Sequence, residues 1–299
     1  MADVRNPSDL TSASFNRKAF VGFGAGASLA ASSIAAALAQ GTGFGAPHAP
    51  IVAENDPAIV VERVKLVRPD TTIDGYAAYP KTLATTTPSV VIVHHIWGVD
   101  AQIRDTVRRY AKAGFSAIAP DLFSRSLVPS GDGATDFSLF IPAYSSLKDP
   151  VVAGDLLAGR AWIQTKATHA KIGITGFCMG GGITLKQIIG RTDYQAASMF
   201  YGGLLPGWKR GEPVTPAAFA YADTIAIPLM GSFGERDTSP DITPDQAREL
   251  FARLKAPHDA KIYAEAGHAF FDDTRASYVA SAAADAWTRT LGWFRTYLT

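Results

Sequence analysis

Short apolar runs alternate with longer amphipathic segments from residue 58 to the end of the chain. Two runs, 59–67 and 72–79, flank an Arg-Pro-Asp turn and are typical of an antiparallel strand pair. Later runs such as 89–94 and 116–119 are continuously apolar, as in strands that are covered on both faces. Because helical segments separate these runs, the pattern predicts an α/β fold with a mostly parallel central sheet and helices on both faces.

The other predicted elements follow the same order. Helices are expected at 101–113, 152–164, 178–189, 245–254 and 277–297, and further strands at 171–175, 197–201, 225–230 and 261–263. Residues 121–144 have no clear period and are expected to form an excursion over the core. Since no internal repeat or second change of composition follows, residues 58–299 are predicted to form a single domain.

The first forty residues differ in composition from the rest. A polar stretch ends in Arg17-Lys18, and residues 19–39 then carry no charge. Ala37-Leu38-Ala39 fits the small-x-small pattern of a signal-peptidase site. The residues around Arg17-Lys18 resemble a twin-arginine export signal with lysine as the second basic residue. A Sec signal and a transmembrane anchor are the alternatives, but a segment built from Ala, Gly and Ser favours a cleaved signal over an anchor.

We therefore expect residues 1–39 to be an export signal peptide and residues 40–57, rich in Gly, Pro and Ala, to be a flexible lead-in. The mature protein is expected to be periplasmic or secreted, with no stable membrane association after cleavage of the signal.

Charge and cysteine content narrow the possible functions. The chain has 28 Lys+Arg against 27 Asp+Glu, so it lacks the basic excess that a nucleic-acid-binding surface needs. With 47% hydrophobic residues it can fill a core, which excludes an acidic disordered chain. Its one cysteine excludes a disulfide framework, a CxxC redox pair and a multi-thiolate zinc site. A neutral globular enzyme with a single thiol is the class that remains.

That cysteine lies in Gly176-Phe177-Cys178-Met179-Gly180-Gly181, between a predicted strand and a predicted helix. The motif is the GxSxG nucleophile elbow with cysteine in place of serine. Such a turn exposes the central side chain at the carboxyl end of the strand, and the helix N-terminus favours a thiolate. The alternative is a small buried cysteine among glycines that only allow close packing.

A carboxylate and a histidine follow in the chain order of the α/β-hydrolases, which is nucleophile, acid, histidine. Asp237 comes after the strand predicted at 225–230, and His268 after the last predicted strand. We predict a Cys178–Asp237–His268 triad in which His268 accepts the thiol proton and Asp237 orients its ring. Glu235 and Asp241 are alternatives for the acid.

Two backbone N–H groups are predicted to stabilise an oxyanion, that of Met179 after the nucleophile and that of Ile96 in the loop after the third strand. A metal site is not expected, because His94 and His95 are adjacent at a strand end and their side chains should diverge.

Four segments resemble the dienelactone hydrolase family of α/β-hydrolases. They are His95-Ile96-Trp97-Gly98-Val99-Asp100, Ala119-Pro120-Asp121-Leu122-Phe123, the cysteine elbow, and Gly267-His268-Ala269-Phe270. The resemblance implies the α/β-hydrolase fold and a carboxymethylenebutenolidase-like hydrolysis of a small-molecule ester or lactone. It also implies an acyl-cysteine intermediate, without metal or organic cofactor.

Two departures from the family are visible. Dienelactone hydrolases carry a glutamate at the position of His95, so His95 is a possible accessory acid/base, with a pocket wall or a satisfied strand-end histidine as alternatives. The namesake enzymes also bind a substrate carboxylate with arginines, one of them shortly after the catalytic histidine. Here the residues after His268 are apolar and then acidic, which favours a neutral substrate unless Arg125 or Arg236 compensates.

Aromatic residues near the motifs are candidates for the pocket wall, although aromatics at such positions also pack in cores. The candidates are Trp97, Phe123 and Phe270, followed by Phe140 and Tyr144. Two other functions stay open from the sequence. One is acyl transfer or amide hydrolysis by the same triad, and the other is a non-catalytic ligand-binding protein on the same fold.

Overall fold

The computed structural model describes residues 50–207, 209 and 212–299. The predicted signal peptide and most of the lead-in lie outside the described residues, so the expected export stays a prediction. One eight-stranded sheet forms the centre, in the order β1-β2-β4-β3-β5-β6-β7-β8. The strands are β1 Ile59–Val67, β2 Thr72–Pro80, β3 Ser89–Val93, β4 Ser116–Pro120, β5 Ile172–Phe177, β6 Ala196–Phe200, β7 Leu229–Gly234 and β8 His258–Tyr263.

The sheet is mostly parallel, as predicted. Strand β2 pairs antiparallel with β1 and β4, whereas every pair from β4 to β8 is parallel. The α-helices are α1 Ala101–Lys112, α2 Ile141–Ser146, α3 Asp149–Lys166, α4 Met179–Ile188, α5 Pro244–Arg253 and α6 Ala280–Leu298. Helices α1 and α6 pack on one face and α3, α4 and α5 on the other, each over its own apolar cluster. The predicted fold class is confirmed, and no helix in the described part combines the length and apolarity that a membrane span requires.

Strand β7 differs from its prediction by four residues. Residues 225–228 lead into the strand and bury the side chains of Ile225 and Ile227, and the hydrogen-bonded strand begins only at Leu229. Pro228 explains the difference, because proline has no N–H to donate to a neighbouring strand. The residues Pro216–Thr224 before this segment form a 3₁₀ helix. The excursion predicted at 121–144 contains a 3₁₀ turn, Phe137–Phe140, and the start of α2.

The described end of the predicted flexible lead-in is bound to the domain. The N–H groups of Ile51 and Val52 donate to the two carboxylate oxygens of Asp105 on α1, at 3.0 and 2.9 Å. Arg108 Nε donates to the carbonyl of Val52 at 2.5 Å, and the Val52 side chain is buried. For these residues the predicted flexibility is wrong, because one helix carboxylate satisfies two backbone donors of the segment.

The turn between β5 and α4 brings backbones closer together than side chains would permit. A Cβ on Gly176 would lie 2.1 Å from the carbonyl oxygen of Gly180, and one on Gly180 would lie 2.2 Å from that of Val93. These carbonyls belong to the strand and helix themselves and cannot rotate away. The glycines of the motif therefore allow α4 to start directly against β3 and β5.

We expect Gly180→Ala to lower the free energy of unfolding by roughly 2 kcal/mol or more, or to prevent folding, because the added methyl group overlaps backbone atoms. Gly292→Ala in α6 is the matched control, since nothing lies within 4 Å of its Cβ position. The control should gain up to about 1 kcal/mol from helix propensity. Denaturant unfolding measures both variants, and equal effects would contradict the steric argument.

Candidate active site

Cys178 occupies a strained turn at the carboxyl end of β5. Its φ and ψ are 54° and −117°, in the region that favours glycine, and its N–H donates to the carbonyl of Phe200 at 3.1 Å. The side chain is 5% exposed. Helix α4 begins at the next residue, so the thiol lies at a helix N-terminus, where a thiolate is stabilised.

His268 and Asp237 form a buried pair beside this cysteine. His268 Nδ1 donates to Asp237 Oδ2 at 2.7 Å, and Asp237 Oδ1 accepts from the N–H of Ser239 at 3.0 Å. The alternative acids behave differently. Glu235 pairs with Arg248 near the surface, and Asp241 is half-buried nearby without a bond to the histidine. Asp237 is therefore the carboxylate that orients His268.

The charges of this pair are reflected in its pKa values. Burial alone would raise the pKa of Asp237, but the charge of His268 and its hydrogen bond lower it below the usual value. Burial alone would lower the pKa of His268, but the charges of Asp237 and Cys178 raise it well above the usual value. His268 Nε2 is buried near the thiol without a hydrogen bond of normal geometry among the described residues. Such catalytic hydrogen bonds often form only when substrate binds.

A small pocket opens over the thiol. Its lining comes from the loop after β3, the elbow, the end of β6 and the residues after His268, and consists of His95, Ile96, Trp97, Cys178, Tyr201, Ala269 and Asp272. Three of these, Cys178, Tyr201 and Ala269, are the non-glycine residues with positive φ in the described part of the chain. Strained backbone therefore concentrates at the pocket, as it does in functional sites.

Of the two predicted oxyanion donors, Ile96 lines this pocket, and Met179 follows the lining residue Cys178 in the chain. The N–H of Ile96 makes no hydrogen bond to a protein acceptor within the residues described. Met179 is the first residue of α4, where the N–H has no partner within the helix. A turn closed by Gly98 N–H donating to the His95 carbonyl at 3.1 Å shapes the loop that carries Ile96.

The adjacent histidines diverge, as the sequence predicted. His94 Nδ1 donates to the carbonyl of His95 at 2.7 Å, and its Nε2 accepts from the N–H of Leu122 at 3.1 Å. Both nitrogens are satisfied in a neutral ring, and burial lowers the pKa of His94. His94 is therefore a structural residue that joins the ends of β3 and β4.

His95 lines the pocket, but both of its ring nitrogens are directed at neighbouring groups in the pocket wall. Nδ1 accepts the N–H of Trp97 at 3.2 Å, and Nε2 lies 3.3 Å from Oδ1 of Asp100. Burial lowers the pKa of His95, whereas Asp100 outweighs burial and raises it. The bond from Trp97 requires an unprotonated Nδ1, so it forms with the neutral Nε2–H ring and is lost when the ring is protonated. The geometry favours the hydrogen-bonding wall among the three readings of His95.

Only part of the predicted aromatic wall reaches the pocket. Trp97 lines the pocket, whereas Phe123 and Phe270, which were also predicted to line it, do not. Phe123 packs edge-on to the His94 ring, with centroids 4.9 Å apart, and Phe270 packs against Tyr201 at 5.3 Å. Both are fully buried core residues because apolar character alone does not distinguish a core position from a pocket position.

Two further aromatic candidates lie around Trp97 and the thiol. Phe140 supports the Trp97 ring from behind, with centroids 5.3 Å apart. Tyr144 is half-buried on α2, and burial together with the nearby Asp241 and Cys178 raises its pKa to about 12.

The sequence interpretation missed Tyr201. Its ring centroid is 5.2 Å from that of His268, and its backbone φ is 35°. It directly follows β6, at the same sheet edge as the elbow, so the rule that ligands bind at the carboxyl ends of parallel strands would have found it. The two arginines considered as substrate ligands are elsewhere. Arg125 binds Asp70 and Asp155, and Arg236 is exposed and outside the lining.

No group of three or more His, Cys, Asp or Glu side chains in the described ranges has the arrangement of a metal site. The site instead combines a thiol in the pocket lining, backbone donors near it, and a buried imidazole held by a carboxylate beside the thiol. That set of groups can perform nucleophilic acyl chemistry.

Comparison with known proteins relates the whole body of the chain to one group of enzymes. A sequence model described as "Dienelactone hydrolase family" matches residues 73–298. A protein of Methylorubrum extorquens named "Putative carboxymethylenebutenolidase" is 35% identical over 275 residues, which cover 88% of this chain and 91% of that protein. A Bradyrhizobium protein named "Probable 2-oxo-3-(5-oxofuran-2-ylidene)propanoate lactonase" is 30% identical over 221 residues, 71% of this chain and 84% of that protein.

A solved structure gives the same result. The crystal structure of a "Putative Dienelactone Hydrolase" from Klebsiella pneumoniae superposes with a TM-score of 0.70 and 31% identity. The alignment covers 80% of this chain and all of that one, since 100% of its residues are matched. The likeness thus extends over the sheet, the helices and the elements that carry the pocket.

The buried Asp237–His268 pair predicts a pH dependence of stability. The raised pKa of His268 stabilises the fold below the unfolded pKa of about 6.5, and this contribution is lost as pH rises through the folded pKa. The lowered pKa of Asp237 stabilises the fold above about pH 3.9 and is lost on acidification. We expect Asp237→Asn to cost roughly 3 kcal/mol between about pH 5 and 6.5, and progressively less at alkaline pH.

Denaturant unfolding of wild type and variant from pH 5 to 10 measures this difference. Asp245→Asn is the control, because Asp245 forms an ion pair with Arg248 while 94% of its side chain is exposed. Its effect should stay small at every pH. A cost of Asp237→Asn that is the same at pH 6 and pH 10 would contradict the charged pair.

Proposed function

This chain belongs to the dienelactone hydrolase family and is a hydrolase of lactone or ester bonds, and we propose that it works through a Cys178–His268–Asp237 triad with an acyl-cysteine intermediate. The observation that carries the proposal is the 2.7 Å bond from His268 Nδ1 to Asp237 beside a strained cysteine at a helix N-terminus. Cys178 also lines a small pocket together with Ile96, whose N–H is a predicted backbone donor. The proposal therefore uses only side chains and backbone groups of this chain, with water as the second reactant.

Acylation begins with the thiol proton. His268 Nε2 accepts it, and Asp237 holds the opposite side of the ring and stabilises the imidazolium. The Cys178 sulfur attacks the carbonyl carbon, and the N–H groups of Ile96 and Met179 stabilise the oxyanion that forms. As the tetrahedral intermediate collapses, the carbon–oxygen bond to the leaving group breaks. The leaving oxygen takes the proton from Nε2, and in a lactone it stays attached to the acyl chain.

Deacylation reverses the proton transfers with water as the nucleophile. His268 removes a proton from a water molecule, which attacks the thioester carbon while the same N–H groups stabilise the oxyanion. Expulsion of the Cys178 sulfur releases the acid, and the sulfur regains its proton from His268. The net reaction adds one water molecule across the ester bond and leaves the enzyme unchanged.

The other two functions make different use of the same groups. Acyl transfer and amide hydrolysis would share the acyl-cysteine, and no contact in the pocket favours an amine over water. A ligand-binding protein would not need a strained cysteine beside a buried, oriented imidazole, and strained residues persist only where the surroundings hold them. Hydrolysis is therefore the function that these contacts support best.

We expect Cys178→Ala to abolish turnover of a p-nitrophenyl ester, because the variant has no nucleophile. Since the chain has one cysteine, one equivalent of iodoacetamide should inactivate wild type, and intact-mass analysis should find the label on this residue alone. Rapid quenching during turnover should trap a species heavier by one acyl group in wild type and none in the variant. Undiminished turnover by Cys178→Ala would overturn the mechanism, and products of added amines would indicate acyl transfer.

His95 provides a second prediction. His95→Leu removes the acceptor for the Trp97 N–H and should loosen the loop that presents Ile96, so kcat should fall roughly 10- to 100-fold with little change in KM. His95→Asn keeps a short acceptor near the position of Nδ1 and should retain activity within about 10-fold of wild type. Steady-state kinetics from pH 5 to 9 measure both variants. If His95 were an acid/base, Asn would fail as badly as Leu and the pH profile would lose a limb.

A further inference from the structure

One acidic side chain lies in the wall of the pocket. Asp272 is 3% exposed and shares the lining with Cys178, four residues after His268. No lysine or arginine is among the lining residues in the described part of the chain. The nearest formal charge that a bound substrate meets on this side of the pocket is therefore a carboxylate.

This carboxylate accepts three hydrogen bonds. Oδ1 accepts from the N–H and the hydroxyl of Thr274, at 3.1 and 2.6 Å, and Oδ2 accepts from Arg275 Nε at 3.1 Å. Burial raises the pKa of Asp272 above its usual value, and the charge of Arg275 and the hydrogen bond from Thr274 partly offset this shift. The same contacts fix the side chain, so it cannot swing away from an incoming anion.

Arg275 does not offer its charge to the pocket. Its Nε binds Asp272, one terminal nitrogen donates to the carbonyl of Ala134 at 3.0 Å, and its Cζ lies 3.9 Å from the centre of the Trp97 ring. The side chain is buried behind Trp97, with 7% of it exposed. Its charge is therefore compensated within the wall by Asp272.

A second carboxylate lies close to the ion pair of Asp272 and Arg275. Asp100 lies behind His95, 3.3 Å from Nε2, and is also buried. With a neutral His95, the group formed by His95, Asp100, Asp272 and Arg275 has a net negative charge. A substrate carboxylate brought into this pocket would lose its water and find like charge instead of a cation.

We infer that Asp272, whose ion pair with Arg275 keeps the guanidinium charge out of the pocket, is a specificity-determining residue. It rejects carboxylate-bearing substrates and selects uncharged lactones or esters. This inference rests on the proposed function and deepens it. The names of the two relatives above specify lactones that carry a carboxylate, so this chain differs from them in the charge of the substrate it accepts.

A matched pair of substrates tests the charge rule. One is a five-membered unsaturated lactone with a carboxymethyl side chain, and the other is the same ring with the uncharged acetamide in place of the acetate. Chromatography of the ring-opened products gives kcat/KM for each. We expect wild type to prefer the acetamide by roughly 10- to 100-fold, the order expected for like charges a few ångströms apart in a partly buried site.

Two variants assign the preference to Asp272. Asp272→Asn keeps the shape, removes the negative charge and leaves Arg275 uncompensated, so the preference for the acetamide should shrink at least about 10-fold or reverse. Asp273→Asn is the matched control, because Asp273 is equally buried next in the chain but pairs with Arg109 outside the pocket lining. Its substrate ratio should equal that of wild type.

A binding measurement separates this inference from the proposed mechanism. Trp97 lines the pocket, so quenching of tryptophan fluorescence in Cys178→Ala reports the affinity for both lactones without turnover. Absence of ester and lactone turnover in wild type would overturn the proposed function, while the affinity ratio still decides the charge rule. Equal or tighter binding and turnover of the carboxylate would overturn the charge rule and leave the mechanism intact. If Asp272→Asn fails to fold, the wild-type ratios in both measurements decide.

Discussion

The site depends on the close contact between β5, α4 and β3. Gly176 and Gly180 let strand and helix meet with their backbones nearly touching, and the reversal between them forces Cys178 to a positive φ. That conformation points the thiol away from the sheet and starts α4 directly behind it. The positions of the proposed nucleophile, the helix N-terminus and the first proposed oxyanion donor are thus consequences of one steric constraint. A side chain at either glycine would displace all three together.

The second requirement is the electrostatic pairing of groups that the sheet brings together. Asp237 and His268 follow β7 and β8, two strands on the same side of β5, and both are buried with the thiol. In this setting the pKa of Asp237 falls and that of His268 rises, because each charge stabilises the other. The charges stabilise each other only while all are present, so the pair contributes both to folding and to the proposed chemistry.

The sequence was sufficient to predict the site residues whose location is determined by their position at the end of a strand. The sequence predicted that Cys178, Asp237 and His268 lie together, because each follows a parallel strand at the same sheet edge. It was insufficient where residue type alone had to decide. Phe123 and Phe270 fill the core because an aromatic residue suits either environment, and only packing shows which side of the wall it occupies.

The other differences have local causes that an apolar pattern does not record. Pro228 delays β7 by withholding a donor, and the carboxylate of Asp105 anchors residues 51 and 52, which the composition suggested were free. His95 could not be assigned from its type, since its role follows from the bonds to Trp97 and Asp100. In each case a single hydrogen-bonding group, rather than the average polarity of a segment, determines the structure.

The distribution of strain connects the fold to the pocket. Cys178, Tyr201 and Ala269 each have a positive φ, at a cost of about 1–2 kcal/mol per residue. Cys178 directly follows β5, Tyr201 directly follows β6, and Ala269 comes after the histidine that follows β8. The cost is borne by hydrogen bonds such as that from Tyr201 N–H to the Ser232 carbonyl at 2.8 Å. Strands β5 and β6 are buried on both faces and cannot relax to release the strain. The wall is therefore rigid before substrate arrives, and a fixed wall can discriminate by charge, because Asp272 has no alternative position that would spare an anion.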